Sequence, residues 1–334
     1  MHKSDGKEHD SNDEIVVTTK NEVALKGLKQ RSVDVLGGTC FLWAREEFAN
    51  SVDVLFVDEA SQISLADVLA ISQAAKSVVL IGDPQQLARP GDAPHPPGAE
   101  VSGLEHILMD PELGKLKTMP EHLGLFIDET KRLHPKICEF TSTAFYEGRL
   151  HSRAFTRSRV IEGHSWLKGA GLWFVPVRHK GNRNSSTEEV DMIARIVEEL
   201  LKPNVKWFDR AGRGQRLKEK DILIVAPYNA QVSDLGARLP KLSVGTVDKF
   251  QGQEGAVVIY SLTTSSPEDA PRGMEFLYSL NRLNVATSRA MTTVILVGSP
   301  KLFEPECRTP RQMQLANAFC GYLEMAITVD PSSI

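Results

Sequence analysis

The chain has 334 residues, 41% hydrophobic and 25% charged, with 39 Lys plus Arg against 43 Asp plus Glu and a formal net charge of −4. This is an ordinary globular composition, long enough for one large core or two domains with cores. The near balance of charge gives no global signal for nucleic acid, so any binding groove must be local.

The opening residues, MHKSDGKEHDSNDE, have no apolar h-region and are too polar to pack, so residues 1–14 are expected to form a disordered tail. Beyond them, apolar runs recur at 33–38, 52–58, 77–83, 171–177, 221–227, 255–262 and 292–298. Continuous rather than alternating hydrophobicity predicts strands covered on both faces, as in a parallel sheet with helices on either side. Between them, Val190, Ile193, Ala194, Val197 and Leu201 fall at helical spacing within 186–201. Strand alternating with helix gives an α/β class. Pro90, Pro94, Pro96 and Pro97 exclude regular structure around 88–100, where a domain boundary is expected. No run approaches the ~18 apolar residues of a membrane span. Cys40, Cys138, Cys307 and Cys320 show no CxxC pair and no His at zinc spacing, which reads as reduced thiols of a cytoplasmic protein.

In open parallel sheets ligands gather where strands end, so the residues after each run matter most. After 52–57 come Asp58 and Glu59; after 77–81 comes Gly82-Asp83-Pro84-Gln85-Gln86. A lone Asp-Glu pair also suits an acidic helix start. Two polar strand ends in succession, the second able to hydrogen-bond a phosphate or water through Gln86, favour phosphate chemistry: one acid for Mg²⁺, the other for the attacking water. Further on, ETKRLHP holds Arg132, VGTVDKFQGQE holds Thr246, Gly252 and Glu254, and LNRLNVATSRA holds Arg282 and Arg289. Arginines seven apart share a helix face and serve either as surface ion pairs or as fingers that neutralise a γ-phosphate.

These segments, in this order, resemble the superfamily 1 helicases of the 5′-to-3′ branch. VDVLGGTC resembles motif Ic, VDVLFVDEAS motif II, VVLIGDPQQL motif III, ETKRLHP motif IV, VGTVDKFQGQE motif V and LNVATSRA motif VI. APYNAQ (226–231) resembles the segment after the first strand of the family's second domain. The stretches EFTSTAFYEGRL and SSPEDAPRGMEFLYSL resemble bacterial proteins in which the helicase part follows a RecB-like nuclease domain.

The resemblance implies two RecA-like parallel-sheet domains, the first incomplete at its N-terminus: a partial domain over 15–125 and a second over 126–330. It implies ATP and Mg²⁺ as cofactors, with ATP hydrolysed between the domains to drive movement on single-stranded nucleic acid, DNA favoured over RNA. Asp58 would bind Mg²⁺, Glu59 would be the catalytic base, and Gln86 would sense the γ-phosphate. Arg132 and Arg289 would be the fingers, with Gly252 and Glu254 at the nucleotide and Glu254 reaching the ribose. Thr39, Tyr228 and Thr246 would touch the nucleic-acid backbone. Met291 stands where the family often has a second basic residue.

The phosphate-binding loop GxxxxGK[ST] does not occur in these residues: Gly6-Lys7 is followed by Glu8 and Gly114-Lys115 by Leu116. Two readings follow. Either the chain is part of a helicase whose loop lies upstream or on another chain, or it is a catalytically inactive module that binds nucleic acid or a partner.

Overall fold

The computed structural model describes residues 2–3, 15–87, 101–110, 114–163 and 166–334. Within the expected tail 1–14, only His2–Lys3 are described, as a short strand parallel to Val17–Thr18. The Pro-rich passage 88–100 lies outside the described residues. The chain divides into two compact units, Met1–Leu116 and Lys117–Ile334.

The first unit contains helix α1 (Cys40–Trp43), strand β1 (Val52–Val57), helix α2 (Leu65–Ser72) and strand β2 (Ala75–Leu80). The strands pair in parallel, Val52 opposite Ala75 and Val57 opposite Leu80. The Ser64 hydroxyl accepts the Asp67 amide N–H at 3.0 Å and caps α2, relieving one of the orphan donors of the first turn. Val68 and Ile71 of α2 are buried, as are Leu55 and Val57 of β1. On the other face Val54 is 42%, Phe56 65% and Val79 38% exposed. Cover on both faces is therefore not found here; among the described residues this two-stranded sheet is covered on one. Residues 33–38 are no strand either. Val35 is 76% exposed, and the chain turns so tightly into α1 that a Cβ on Gly38 would lie 2.4 Å from the Leu42 side chain.

The second unit is a six-stranded parallel sheet clad on both faces. Its elements are α3 (Pro135–Phe145), β3 (Gly171–Pro176), α4 (Thr187–Leu200), β4 (Ile222–Val225), α5 (Asn229–Arg238), β5 (Ser243–Gly245), β6 (Gly255–Ser261), α6 (Gly273–Leu277), α7 (Leu280–Ser288), β7 (Ala290–Gly298), α8 (Pro310–Met325) and β8 (Ile327–Thr328). The strand order is β5-β4-β6-β7-β3-β8. One face, with Trp173, Val175, Ile224, Val257, Ile259 and Ile295, packs on Val190, Ile193, Ile196 and Val197 of α4. The other meets α3, α7 and α8. There Tyr322 of α8 stacks edge-on to Phe140 of α3 at 5.4 Å and donates its hydroxyl to the carbonyls of Trp173 and Val294 at 3.0 and 3.1 Å. Each Ile or Val buried this way contributes about 1.5–3 kcal/mol. The fold class is α/β with a RecA-like parallel sheet.

Parallel pairing has a geometric consequence. Segments that follow strands collect on one edge of the sheet, and segments that precede strands collect on the opposite edge.

Candidate active site

In the first unit, Asp58 and Glu59 form the turn that leaves β1. The Asp58 carboxylate accepts the Glu59 amide N–H at 3.0 Å, and Glu59 sits at φ +52°, a left-handed conformation that costs a non-glycine residue on the order of 1 kcal/mol. Both acids are exposed. The turn is tied to the end of β2: the Ala60 amide donates to the Ile81 carbonyl at 2.8 Å, and a Cβ on Gly82 would lie 2.9 Å from the Ala60 nitrogen. Only glycine permits that approach. Asp83 then organises the next turn, its carboxylate accepting the Gln85 amide at 3.0 Å and the Gln86 side-chain amide at 2.8 Å. Gln86 is thus aimed by Asp83. Thr39, exposed at the start of α1, belongs to the same unit.

In the second unit the predicted residues divide between the two edges of the sheet. At the amino edge Glu254 precedes β6 and Arg289 precedes β7, with Gly255 opposite Ala290 in register. Arg132 reaches Glu254 and the residue before Arg289: its Nε donates to Glu254 Oε2 at 2.8 Å and its Nη1 to the Ser288 carbonyl at 3.3 Å. Arg289 is 3% exposed, its Nε donating to the Val285 carbonyl at 3.2 Å. Glu254 and Arg289 precede strands instead of following them, and the Arg132 segment, which leads into α3, meets them there. Gly252, at φ +76°, turns the chain just ahead of Glu254.

The Arg132 segment is itself held by Arg159. This arginine is 8% exposed and donates through Nη1 to the carbonyls of Lys131 and Arg132. Burial pushes its pKa down; Glu254 attracts it from beyond contact distance while Arg210 and Arg132 repel it. His134, whose Nδ1 accepts the Lys136 amide N–H at 3.2 Å, caps α3, and burial, with Lys136 beside it, pushes its pKa down to about 4.

At the carboxyl edge, Tyr228 follows β4 and Thr246 follows β5. The segment after β6 joins them, since β5, β4 and β6 are neighbours. Phe276 of α6 lies against Tyr228 at 5.5 Å, and Arg282 stands 4.5 Å from the Phe276 centroid and 3.6 Å from Asp248, two residues beyond Thr246. Arg282 and Arg289 thus mark opposite ends of α7, about 10 Å apart along its axis. A buried network fastens this edge. Glu189 of α4 contacts the His179 ring at 2.9 Å and accepts the Ser261 hydroxyl at 2.6 Å and the Thr263 amide at 2.8 Å, while the other His179 nitrogen meets the Ser265 hydroxyl at 2.7 Å. The His179 and Glu189 side chains are fully buried.

Arg159, Phe276 and the His179–Glu189 pair were not singled out by the sequence. Arg159 ends the Arg-rich stretch 148–159, and nothing local marks it as buried. Among the described residues no cluster of three or more His, Cys, Asp or Glu side chains can hold a metal. The donor set at Asp58 suits Mg²⁺, which commonly takes one or two protein carboxylates and fills its octahedron with phosphate oxygens and water. All four cysteines are free, and no helix among the described residues is long and apolar enough to cross a membrane.

A sequence model of the AAA domain family matches residues 113–301, and a second, also described as an AAA domain, matches residues 7–89. The chain is similar to helicase sen1 of Schizosaccharomyces pombe, 26% identical over 263 residues covering 73% of this chain and 14% of that protein. It is similar to the regulator of nonsense transcripts 1 homolog of Neurospora crassa, 27% identical over 266 residues, 74% of this chain and 22% of that protein. A third relative is the DNA replication ATP-dependent helicase/nuclease DNA2 of Gallus gallus, 29% identical over 253 residues, 74% of this chain and 23% of that protein. The chain spans less than a quarter of the length of each of these three. It belongs to the AAA domain family, and its relatives are superfamily 1 helicases.

Proposed function

We propose that the protein is an ATP-dependent helicase or translocase acting on single-stranded nucleic acid, DNA favoured over RNA. The observation that carries this is the meeting of Arg132, Glu254 and the Ser288–Arg289 turn at the amino edge of the second sheet, in a chain that also presents an Asp58-Glu59 turn after a parallel strand. In this reading Asp58 holds Mg²⁺, whose charge offsets that of the triphosphate, and the Glu59 carboxylate takes a proton from the attacking water. Gln86, aimed by Asp83, reads the γ-phosphate. Arg132 and Arg289 neutralise charge as the terminal phosphate bond breaks, an effect worth about 10³–10⁵ in rate. Glu254 orients Arg132 and meets the ribose beside Gly252. Thr39, Tyr228 and Thr246 contact the backbone of the strand without reading its sequence. A phosphate cradle supplied from outside these residues, a RecB-like nuclease partner and a cytoplasmic location belong to the same proposal.

The second reading, an inactive module that binds nucleic acid or a partner, is favoured by the lack of GxxxxGK[ST] in these residues. ATP turnover by the full-length protein, with and without single-stranded DNA, separates the two. The expected result is turnover stimulated by the strand and reduced about 10²–10⁴-fold in Glu59→Gln, the usual worth of a general base. Turnover unchanged in Glu59→Gln would sink the catalytic assignment, and no turnover at all would leave the binding module.

A further inference from the structure

The carboxyl edge of the second sheet carries a feature that the nucleotide chemistry does not use. Arg272 lies just before α6, after Ala270-Pro271 and ahead of Gly273, whose φ of +73° lets the chain turn sharply into the helix. Its guanidinium carbon stands 3.9 Å from the centroid of Phe276, within stacking distance of the ring. The ring is itself fixed: it lies against Tyr228 at 5.5 Å and an interplanar angle of 34°, and takes Arg282 at 4.5 Å. Two guanidinium groups therefore share one aromatic side chain.

The two arginines differ in what else they touch. Arg282 is 20% exposed and paired with Asp248 at 3.6 Å. Arg272 is exposed, and no carboxylate among the described residues forms an ion pair with it. Stacking occupies the face of a guanidinium and leaves its in-plane N–H donors available. A donor fork fixed in this way loses little freedom when it meets a phosphate. Its position matters as much as its charge. Tyr228, Thr246 and the Phe276 helix follow three neighbouring parallel strands, so the fork stands on the edge where Tyr228 and Thr246 are assigned to nucleic acid.

We propose that Arg272, held over Phe276, is a backbone phosphate contact for a single strand passing Thr246 at the carboxyl edge, where Phe276 lies against the 7%-exposed Tyr228. This rests on the reading above that the carboxyl edge takes nucleic acid. The ligand chemistry is a phosphodiester oxygen. No base edge is involved, so the contact adds affinity without sequence preference.

The test is binding of a labelled oligothymidylate to the full-length protein as a function of salt. For single strands the slope of log affinity against log salt is about −0.7 per phosphate neutralised, so Arg272→Ala should flatten the slope by about 0.7 and weaken binding on the order of tenfold at low salt. Arg272→Lys keeps the charge but loses the fork, and should fall between the two. Phe276→Leu leaves Arg272 in place without its platform, and should weaken binding with a smaller change of slope. An oligoadenylate should show the same loss. Affinity and slope unchanged in Arg272→Ala overturn this assignment while leaving the nucleic-acid reading intact. No binding of either oligonucleotide by the parent protein overturns both.

Discussion

The two units each set polar residues at the ends of parallel strands, with unequal support. In the second unit Val257, Ile259 and Ile295 are fully buried between α4 on one side and α3, α7 and α8 on the other. In the first, β1 and β2 have only each other as partners among the described residues, and Phe56 and Val54 are open on one face. The difference shows in how the polar residues are held. Arg132 is gripped by Glu254, by the Ser288 carbonyl and, through its backbone, by Arg159, so this cluster is positioned by a rigid frame. Asp58, Glu59 and Gln86 are held by short-range bonds within two adjacent turns. A preorganised frame suits groups that must meet developing charge at a fixed place.

The sharpest test of that frame is Glu189. It is a fully buried carboxylate serving His179, Ser261 and the Thr263 amide together, and its removal strands several donors in a dry site. Glu189→Ala should cost about 3–5 kcal/mol in urea unfolding of the second unit, since each buried donor left unsatisfied costs about 1–3 kcal/mol. Thr263, at φ +70°, should lose its fixed conformation with it. A cost below ~1 kcal/mol would mean that packing alone sets the carboxyl edge, and the contrast between the units would rest on area instead of on specific bonds.

A second test uses pH. His134 caps α3 with an unprotonated Nδ1, and its pKa is pushed from 6.5 down to about 4, first by burial and then by Lys136. The sign follows directly. Below pH 6.5 the unfolded chain takes up a proton that the folded chain refuses until about pH 4, so the second unit loses stability as pH falls through that window and keeps it above. His134→Asn retains a capping acceptor without the titration, so the slope of stability against pH between 4 and 6.5 should flatten. A slope unchanged in that variant would assign the acid sensitivity to other groups.

What the sequence revealed follows the same division. The runs at 221–227, 255–262 and 292–298 are legible as strands, found at Ile222–Val225, Gly255–Ser261 and Ala290–Gly298, because burial on both faces demands continuous apolar residues, and α4 is legible from Val190, Ile193 and Val197. The run at 33–38 misled, because Val35 belongs to an exposed turn shaped by Gly38. Arg282 and Arg289 read as one helix face, whereas the helix carries them to opposite edges of the sheet. The Arg132–Glu254 contact joins residues 122 positions apart, and Arg159 gives up most of its hydration to hold two carbonyls. Contacts of this kind are set by tertiary folding and leave no local pattern to read.

The smallest expected effect is the most direct probe of the difference between the units. Phe140, 2% exposed beneath the second sheet, should cost about 3–5 kcal/mol when changed to Ala, since its ring fills space between Phe145 and Tyr322. Phe56, although at the centre of a strand, is 65% exposed, so Phe56→Ser removes little buried area. It should change stability by no more than about 0.5 kcal/mol, the usual range for surface positions. A serine there also breaks up an apolar patch with Val54 and Val79, and apolar patches beside an open strand edge promote association. The Phe56→Ser protein should therefore remain monomeric at higher concentration in light scattering. If Phe56→Ser instead costs as much as Phe140→Ala, that face of the first sheet is buried in solution, and the inequality of support between the two units disappears.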